Sequence, residues 1–164
     1  MNIVICPGSA ENQKFKRWNV SKYVELSSKF ISCGSRLKIV LGPDEGYLNK
    51  YFSDFEIVIS PSFKELKKIS QSTDLAICND SFLLHFFCFR KIKVLGIYGP
   101  TDPERSMPPD IFKISSPKPS KYMPCWGTKN YGSCDNGRCS CFDGLEVKDV
   151  FMKSQQILKK SYTT

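Results

Sequence analysis

The sequence predicts an α/β domain built on a parallel sheet, and three observations predict it. Short apolar runs alternate with stretches whose apolar residues fall at helical spacing. The runs stop at Gly, Pro, Asn or Asp, residues that turn a strand toward the next helix. The length, 164 residues, suits one domain able to bury its own core.

The elements follow in order. Residues 3–6 are apolar, end at Pro7-Gly8, and read as a buried strand. Residues 7–18 read as a polar loop. From Val20 the apolar residues fall at 20, 23, 24, 26, 30 and 31, which predicts a helix with Gly34 as its C-cap. Residues 37–41 are a second strand closed by Gly42-Pro43. A short helix is expected at about 45–52, and residues 55–59 are a third strand. Ser62-Phe63-Lys64-Glu65 has the capping-box form and starts a helix to about Ser72. Residues 75–78 are a fourth strand, and Asn79-Asp80-Ser81 can cap a helix over about 81–90. Residues 94–98 are a fifth strand. After 112–114 comes a Cys-, Pro- and Gly-rich excursion at about 117–144, then a C-terminal helix at about 146–161. The chain reads as one domain, 1–164, with five or six parallel strands, helices on both faces and no internal repeat.

Composition narrows the function. The chain is 41% hydrophobic and 24% charged, which excludes a disordered class. No apolar run approaches the roughly 20 residues that span a bilayer, and the N-terminus lacks a basic leader, so a cytoplasmic protein is expected. A net charge of +8 points to anionic partners. The basic residues are 19 Lys and 5 Arg, whereas readers of nucleic acid favour the bidentate fork of arginine. G-x-G-x-x-G and the P-loop pattern are absent, which argues against a dehydrogenase or an NTPase.

In open α/β sheets, ligands bind beyond the carboxyl ends of the strands, where helix N-termini favour anions. Pro7-Gly8-Ser9-Ala10, Asn79-Asp80-Ser81 and Gly99-Pro100-Thr101-Asp102-Pro103 share that edge. These loops resemble, in order, the C-terminal half of the lipopolysaccharide heptosyltransferases, family 9 of the glycosyltransferases. Pro7-Gly8-Ser9 with Lys16-Arg17-Trp18-Asn19 resembles the family's opening motif, with Asn19 in place of Pro. Gly42-Pro43-Asp44-Glu45, Asn79-Asp80-Ser81 through His85, and Gly99-Pro100-Thr101-Asp102-Pro103 resemble three further motifs. Pro124-Cys125, Cys134 and Cys141-Phe142 echo the tail of many members. Two positions depart from the pattern. Phe82 stands where the family has glycine, and Phe86, Phe87, Cys88 and Phe89 replace small residues.

The resemblance implies a Rossmann-like domain, the donor-binding half of a two-domain GT-B glycosyltransferase. It implies an ADP-heptose-like donor, with transfer to lipopolysaccharide core or another glycan. It implies no cofactor, no tightly held metal, no nucleic acid, and no catalytic residue in this chain. The base and the acceptor site belong to an N-terminal domain or a separate chain, and peripheral association with the inner membrane is expected.

The implied donor-binding residues are Ser9, Lys16, Glu45, Asp80, Ser81, His85 and Thr101. Lys16 would meet the diphosphate as a compact charge, or be one solvated lysine among many. Glu45 would hold the ribose, or stabilise a helix N-terminus. Asp80 and Ser81 would meet sugar and phosphate, or simply cap a helix. His85 would donate toward phosphate, or sit satisfied in the core. Thr101 and Asp102 also suit turn formation. Lys64 is expected on a helix away from this edge.

Cys125, Cys134, Cys139 and Cys141 are weak candidates for a zinc site, since their spacing is not that of common knuckles. Cys6, Cys33, Cys78 and Cys88 read as small buried apolar residues. Two other classes remain beside the donor-binding half. One is a divergent, non-catalytic module for a nucleotide sugar or partner; the other is a basic zinc-containing binder of nucleic acid.

Overall fold

The computed structural model describes residues 1–109, 111–131 and 140–160. Among these residues six strands form one sheet: β1 (Asn2–Cys6), β2 (Arg36–Leu41), β3 (Glu56–Ile59), β4 (Leu75–Asn79), β5 (Val94–Tyr98) and β6 (Phe112–Ser115). Their order is β3-β2-β1-β4-β5-β6, and every pairing is parallel. The helices are α1 (Val20–Ser32), α2 (Phe63–Gln71), α3 (Phe82–Phe89), α4 (Pro103–Ser106) and α5 (Val147–Lys159). The α/β class and the Rossmann-like sheet are as the sequence predicts.

The strands read as near-continuous apolar runs because helices cover both faces. Ile3 and Ile5 of β1, with Ile39, Ile77 and Leu95, face Tyr23, Leu26 and Phe30 of α1 and Val150 and Ile157 of α5. Val4 and Cys6, with Val40, Ala76 and Val94, face Leu66 and Ile69 of α2 and Leu84 and Phe87 of α3. The alternation of adjacent residues between two layers is the period of two expected of a strand.

Helix boundaries follow local chemistry. Asn19 caps α1, its side chain accepting from the Ser21 N–H at 2.9 Å. At the other end Gly34, with φ of 77°, closes a Schellman turn in which Ser35 N–H donates to Phe30 O. Ser62 and Glu65 form the predicted capping box of α2. Two segments differ from expectation. Residues 11–16 of the polar loop wind into 3-10 turns, as does Pro43–Tyr51, where an ordinary short helix was expected. The tighter winding brings Leu48 and Phe52 onto the sheet within a short segment containing Pro43 and Gly46. Cys6 and Cys78 are buried as expected. Cys33 is exposed because it lies beyond the buried face of α1, and Cys88 is only half-buried.

Strand order reverses between β1 and β4, so the loops after these strands diverge and open a crevice. Asn79, fully buried at the end of β4, sets its geometry. Its amide donates to the carbonyls of Pro7 and Gly8 at 2.7 and 3.2 Å. Its oxygen accepts from Trp18 N–H at 3.1 Å and Tyr23 O–H at 2.8 Å. Asn79→Ala would strand several buried polar groups and is expected to destabilise the chain by at least about 3 kcal/mol. Urea unfolding measures this; a loss below about 1 kcal/mol would contradict the assigned role.

Candidate functional site

The loop after β1 is pinned by its own residues. Ser9 is buried; its hydroxyl donates to Gln13 O at 2.9 Å and accepts from Arg17 Nε at 3.0 Å. Arg17 also bonds the Ser9 carbonyl and the Tyr47 hydroxyl. With the loop fixed, the 3-10 turns carry Lys16 inward. Its Nζ donates to Asp80 Oδ2 at 2.9 Å, with the two side chains 10% and 7% exposed. The Trp126 ring lies 5.4 Å from the same ammonium. Lys16 is therefore not a solvated lysine.

Asp80 does not cap the helix that follows. Ser81 is the N-cap residue of α3, and its Oγ is buried without a hydrogen-bond partner. The first N–H groups of α3 thus lack a side-chain cap and point their positive dipole end at the crevice. His85 is half-exposed rather than in the core, and its Nε2 is 3.9 Å from Asp80 Oδ1.

Glu45 crosses from the β2 loop to the β1 loop. It is buried, and its carboxylate accepts from Gly42 N–H at 2.7 Å. A Cβ at Gly8 would fall 1.8 Å from that carboxylate, so only glycine permits the approach. Burial pushes the Glu45 carboxyl above the ordinary carboxylate range, against the Gly42 N–H and the Arg17 charge. Burial likewise raises the Cys6 thiol, which sits beside Cys78 in the sheet and stays protonated.

Thr101 and Asp102 divide two tasks. Asp102 caps α4, accepting from Glu104 N–H at 3.0 Å. Thr101 is 3% exposed, and its hydroxyl has no hydrogen-bond partner. The excursion is tied down here, because Cys125 and Trp126 both donate N–H to Pro100 O at 2.9 Å.

Two cavities flank the Asp80-Ser81 step. One, of about 440 Å³, gathers Lys16, Asp80, His85, Thr101, Arg105 and Trp126. The other, of about 450 Å³, is mainly apolar and has Ser9, Glu45 and Ser81 in its wall, with Phe63 and Phe82. All seven residues singled out in the sequence line one cavity or the other. Lys64 does not lie on a remote helix: α2 begins at the carboxyl end of β3, and its neighbour Phe63 lines the apolar cavity. Sequence reasoning gave no role to Arg17, Arg105 or Trp126. Only Arg17 had a signal, within Lys16-Arg17-Trp18-Asn19. Cys125 and Cys141 are buried, while Cys134 and Cys139 lie outside the described residues. Among the described residues no three His, Cys, Asp or Glu side chains are placed to hold a metal.

A doubly wound parallel sheet with helices on both faces defines a Rossmann-like class of domain. The profile of glycosyltransferase family 9 (heptosyltransferase) matches residues 1–127, and the chain belongs to that family. It resembles the solved structure of E. coli ADP-heptose LPS heptosyltransferase II at 16% identity and a TM-score of 0.76, covering 96% of this chain and 46% of that one. It resembles a family 9 glycosyltransferase from Veillonella parvula at 19% identity and 0.77, covering 98% and 46%. E. coli heptosyltransferase WaaC with ADP matches at 16% identity and 0.71, covering 95% and 44%. The chain therefore spans under half the length of these proteins. No curated protein sequence shows significant similarity to it.

The Glu45 environment makes a signed prediction. The folded chain holds this proton more tightly than the unfolded chain, whose group titrates near 4.5. The stability it contributes is full below that value and is lost as pH rises through the raised folded value. Glu45→Gln removes the titration. Thermal melts from pH 4 to pH 7 should move steadily in favour of the variant relative to the wild type. A constant difference across that range would contradict the assignment.

Proposed function

We propose that this chain is the donor-binding half of a heptosyltransferase-like glycosyltransferase. It holds an ADP-heptose-like nucleotide sugar at the carboxyl edge of the sheet, for transfer to lipopolysaccharide core or another glycan. One observation carries the reading. Lys16, Asp80 and the unpartnered Thr101 hydroxyl line one cavity, the uncapped start of α3 with the unpartnered Ser81 hydroxyl lines the other, and the two meet at the Asp80-Ser81 step. Buried polar groups without partners inside a cavity call for a polar ligand. Neighbours of this fold supply the ligand class: WaaC was solved with ADP and with ADP-2-deoxy-2-fluoro heptose.

In this reading the diphosphate lies over the N-terminus of α3. It accepts from the helix N–H groups, Ser81 Oγ and the remaining N–H bonds of Lys16. His85 adds a further donor. Asp80, held by Lys16, accepts from sugar hydroxyls, with Thr101 beside it. Glu45 has lone pairs beyond those used by the backbone and accepts from the ribose. Ser9 acts through shape, since its hydroxyl is committed to Gln13 and Arg17. When the bond from the anomeric carbon to the diphosphate breaks, the negative charge grows where Lys16 and the helix dipole are already fixed. The catalytic base and the acceptor come from an N-terminal domain or a separate chain. In this reading the chain works in the cytoplasm, at the inner membrane face. Separately, no described helix is long and apolar enough to cross a membrane.

Calorimetry with ADP, ADP-heptose, UDP-sugars and GDP-sugars tests this. Lys16→Ala should weaken ADP binding, and Asp80→Ala the binding of ADP-heptose, each about tenfold or more, the scale of a lost charge-assisted contact. Lys159→Ala, at the far end of α5, should leave both unchanged. No heat with any nucleotide at millimolar concentration rejects the reading. A clear preference for UDP or GDP keeps the site and rejects the adenine donor.

A further inference from the structure

Phe63 and Phe82 are the first residues of α2 and α3, and both stand in the wall of the apolar cavity. They are 71% and 59% exposed. Their ring centroids are 5.9 Å apart, edge to face at 84°. Phe86 braces both from below, at 6.3 and 6.2 Å. Neither ring joins the core on this side of the sheet. The fold gains little by exposing two phenylalanines there, since any polar residue serves at the first position of a helix.

The loops after β2 and β3 line the same cavity, with Gly42-Pro43-Asp44 and Ser60-Pro61. Ser60 has φ of 50°, a left-handed conformation that a serine adopts at a strain. An apolar cavity lined by exposed aromatic rings and by Gly- and Pro-rich loops suits a flat group with apolar faces and a hydrogen-bonding rim. Ser9, Glu45 and Ser81 line the same cavity. A base held there would leave its ribose near Glu45 and its phosphates near α3.

We propose that Phe63 and Phe82 form an aromatic clamp on the nucleobase of the bound nucleotide. The inference rests on the donor-site reading and adds a base subsite to it. It also assigns a use to position 82, where the resemblance leads one to expect glycine. The ring narrows the cavity and supplies a stacking surface there. Stacking is tolerant of base identity, so choice of base falls to the backbone groups of residues 42–44 and 60–61.

The test is calorimetry on the 164-residue chain with two ligands, ADP and inorganic pyrophosphate. Phe63→Ala and Phe82→Ala should each weaken ADP about tenfold, the scale of one lost base–aromatic stack, and leave pyrophosphate within about twofold. Phe82→Gly should weaken ADP likewise. Phe89→Ala removes an equally exposed ring from the far end of α3 and should change neither ligand. Unchanged ADP affinity in both alanine variants overturns the clamp while the donor site stands. Tighter ADP binding by Phe82→Gly also overturns it, because the ring then obstructs. Parallel loss of ADP and pyrophosphate shows general disruption and overturns it as well. Failure of the wild type to bind ADP rejects the donor reading, and the clamp with it.

Discussion

Asn79 is the pivot of the crevice. Where the sheet order reverses, no strand ladder joins the loop after β1 to the loop after β4. A single buried amide replaces that ladder, donating to Pro7 and Gly8 and accepting from Trp18 and Tyr23. Asparagine suits this because it carries donors and an acceptor on one short side chain, and the low dielectric strengthens all of these bonds together. Everything at the crevice inherits its position from this arrangement. Trp18 fixes the end of the 3-10 turns and hence Lys16, while the next residues along the chain are Asp80 and Ser81.

The site's ionic groups are matched to each other before any ligand arrives. A buried ion pair offsets desolvation only with good geometry, and it is weak evidence of stability by itself. The Lys16–Asp80 pair makes better sense as preorganisation. A lysine held at 2.9 Å from one carboxylate loses little further freedom when an anion enters beside it. Of the two site hydroxyls left without partners, that of Ser81 belongs to the wall of the apolar cavity and that of Thr101 to the cavity that holds the pair. Charge is satisfied internally here, and neutral hydrogen-bonding capacity is left open.

Much of the fold was legible because two periodicities carry it. The strands stood out since helices on both faces demand unbroken apolar runs, and α1 and α2 each announced one cap, through Gly34 and Ser62. The 3-10 segments were not legible. Their residues have no regular apolar spacing, and their shape comes from tertiary bonds such as Arg17 to Ser9. The candidate residues were legible as loop positions at one edge, but not their partners. Nothing local in Asn79-Asp80-Ser81 tells that the first residue ties two loops, the second pairs with Lys16 and the third caps with its backbone alone. Trp126 reaches Lys16 across more than a hundred residues of sequence, a contact that no spacing rule anticipates. Lys64 was misplaced for a simpler reason: in a parallel sheet every strand-to-helix loop returns to the same edge, so the start of α2 had to lie there too.

That rule also explains why two cavities and not one surround the switch point. The loops after β2 and β3 rise on one side of Ser81, and the loop after β5 with the tied excursion rises on the other. The first side is built from Gly, Pro and exposed phenylalanine, the second from Lys, Asp, His, Thr and Arg. Their shared boundary is the N-terminus of α3, whose first N–H groups carry no side-chain cap. An elongated ligand with an apolar flat end, an anionic middle and a hydroxyl-rich end would meet its matching chemistry in that order. A compact anion would use only the middle. On the proposed donor reading, the length of the chemical gradient, more than any single residue, would set a nucleotide sugar apart from phosphate at this edge.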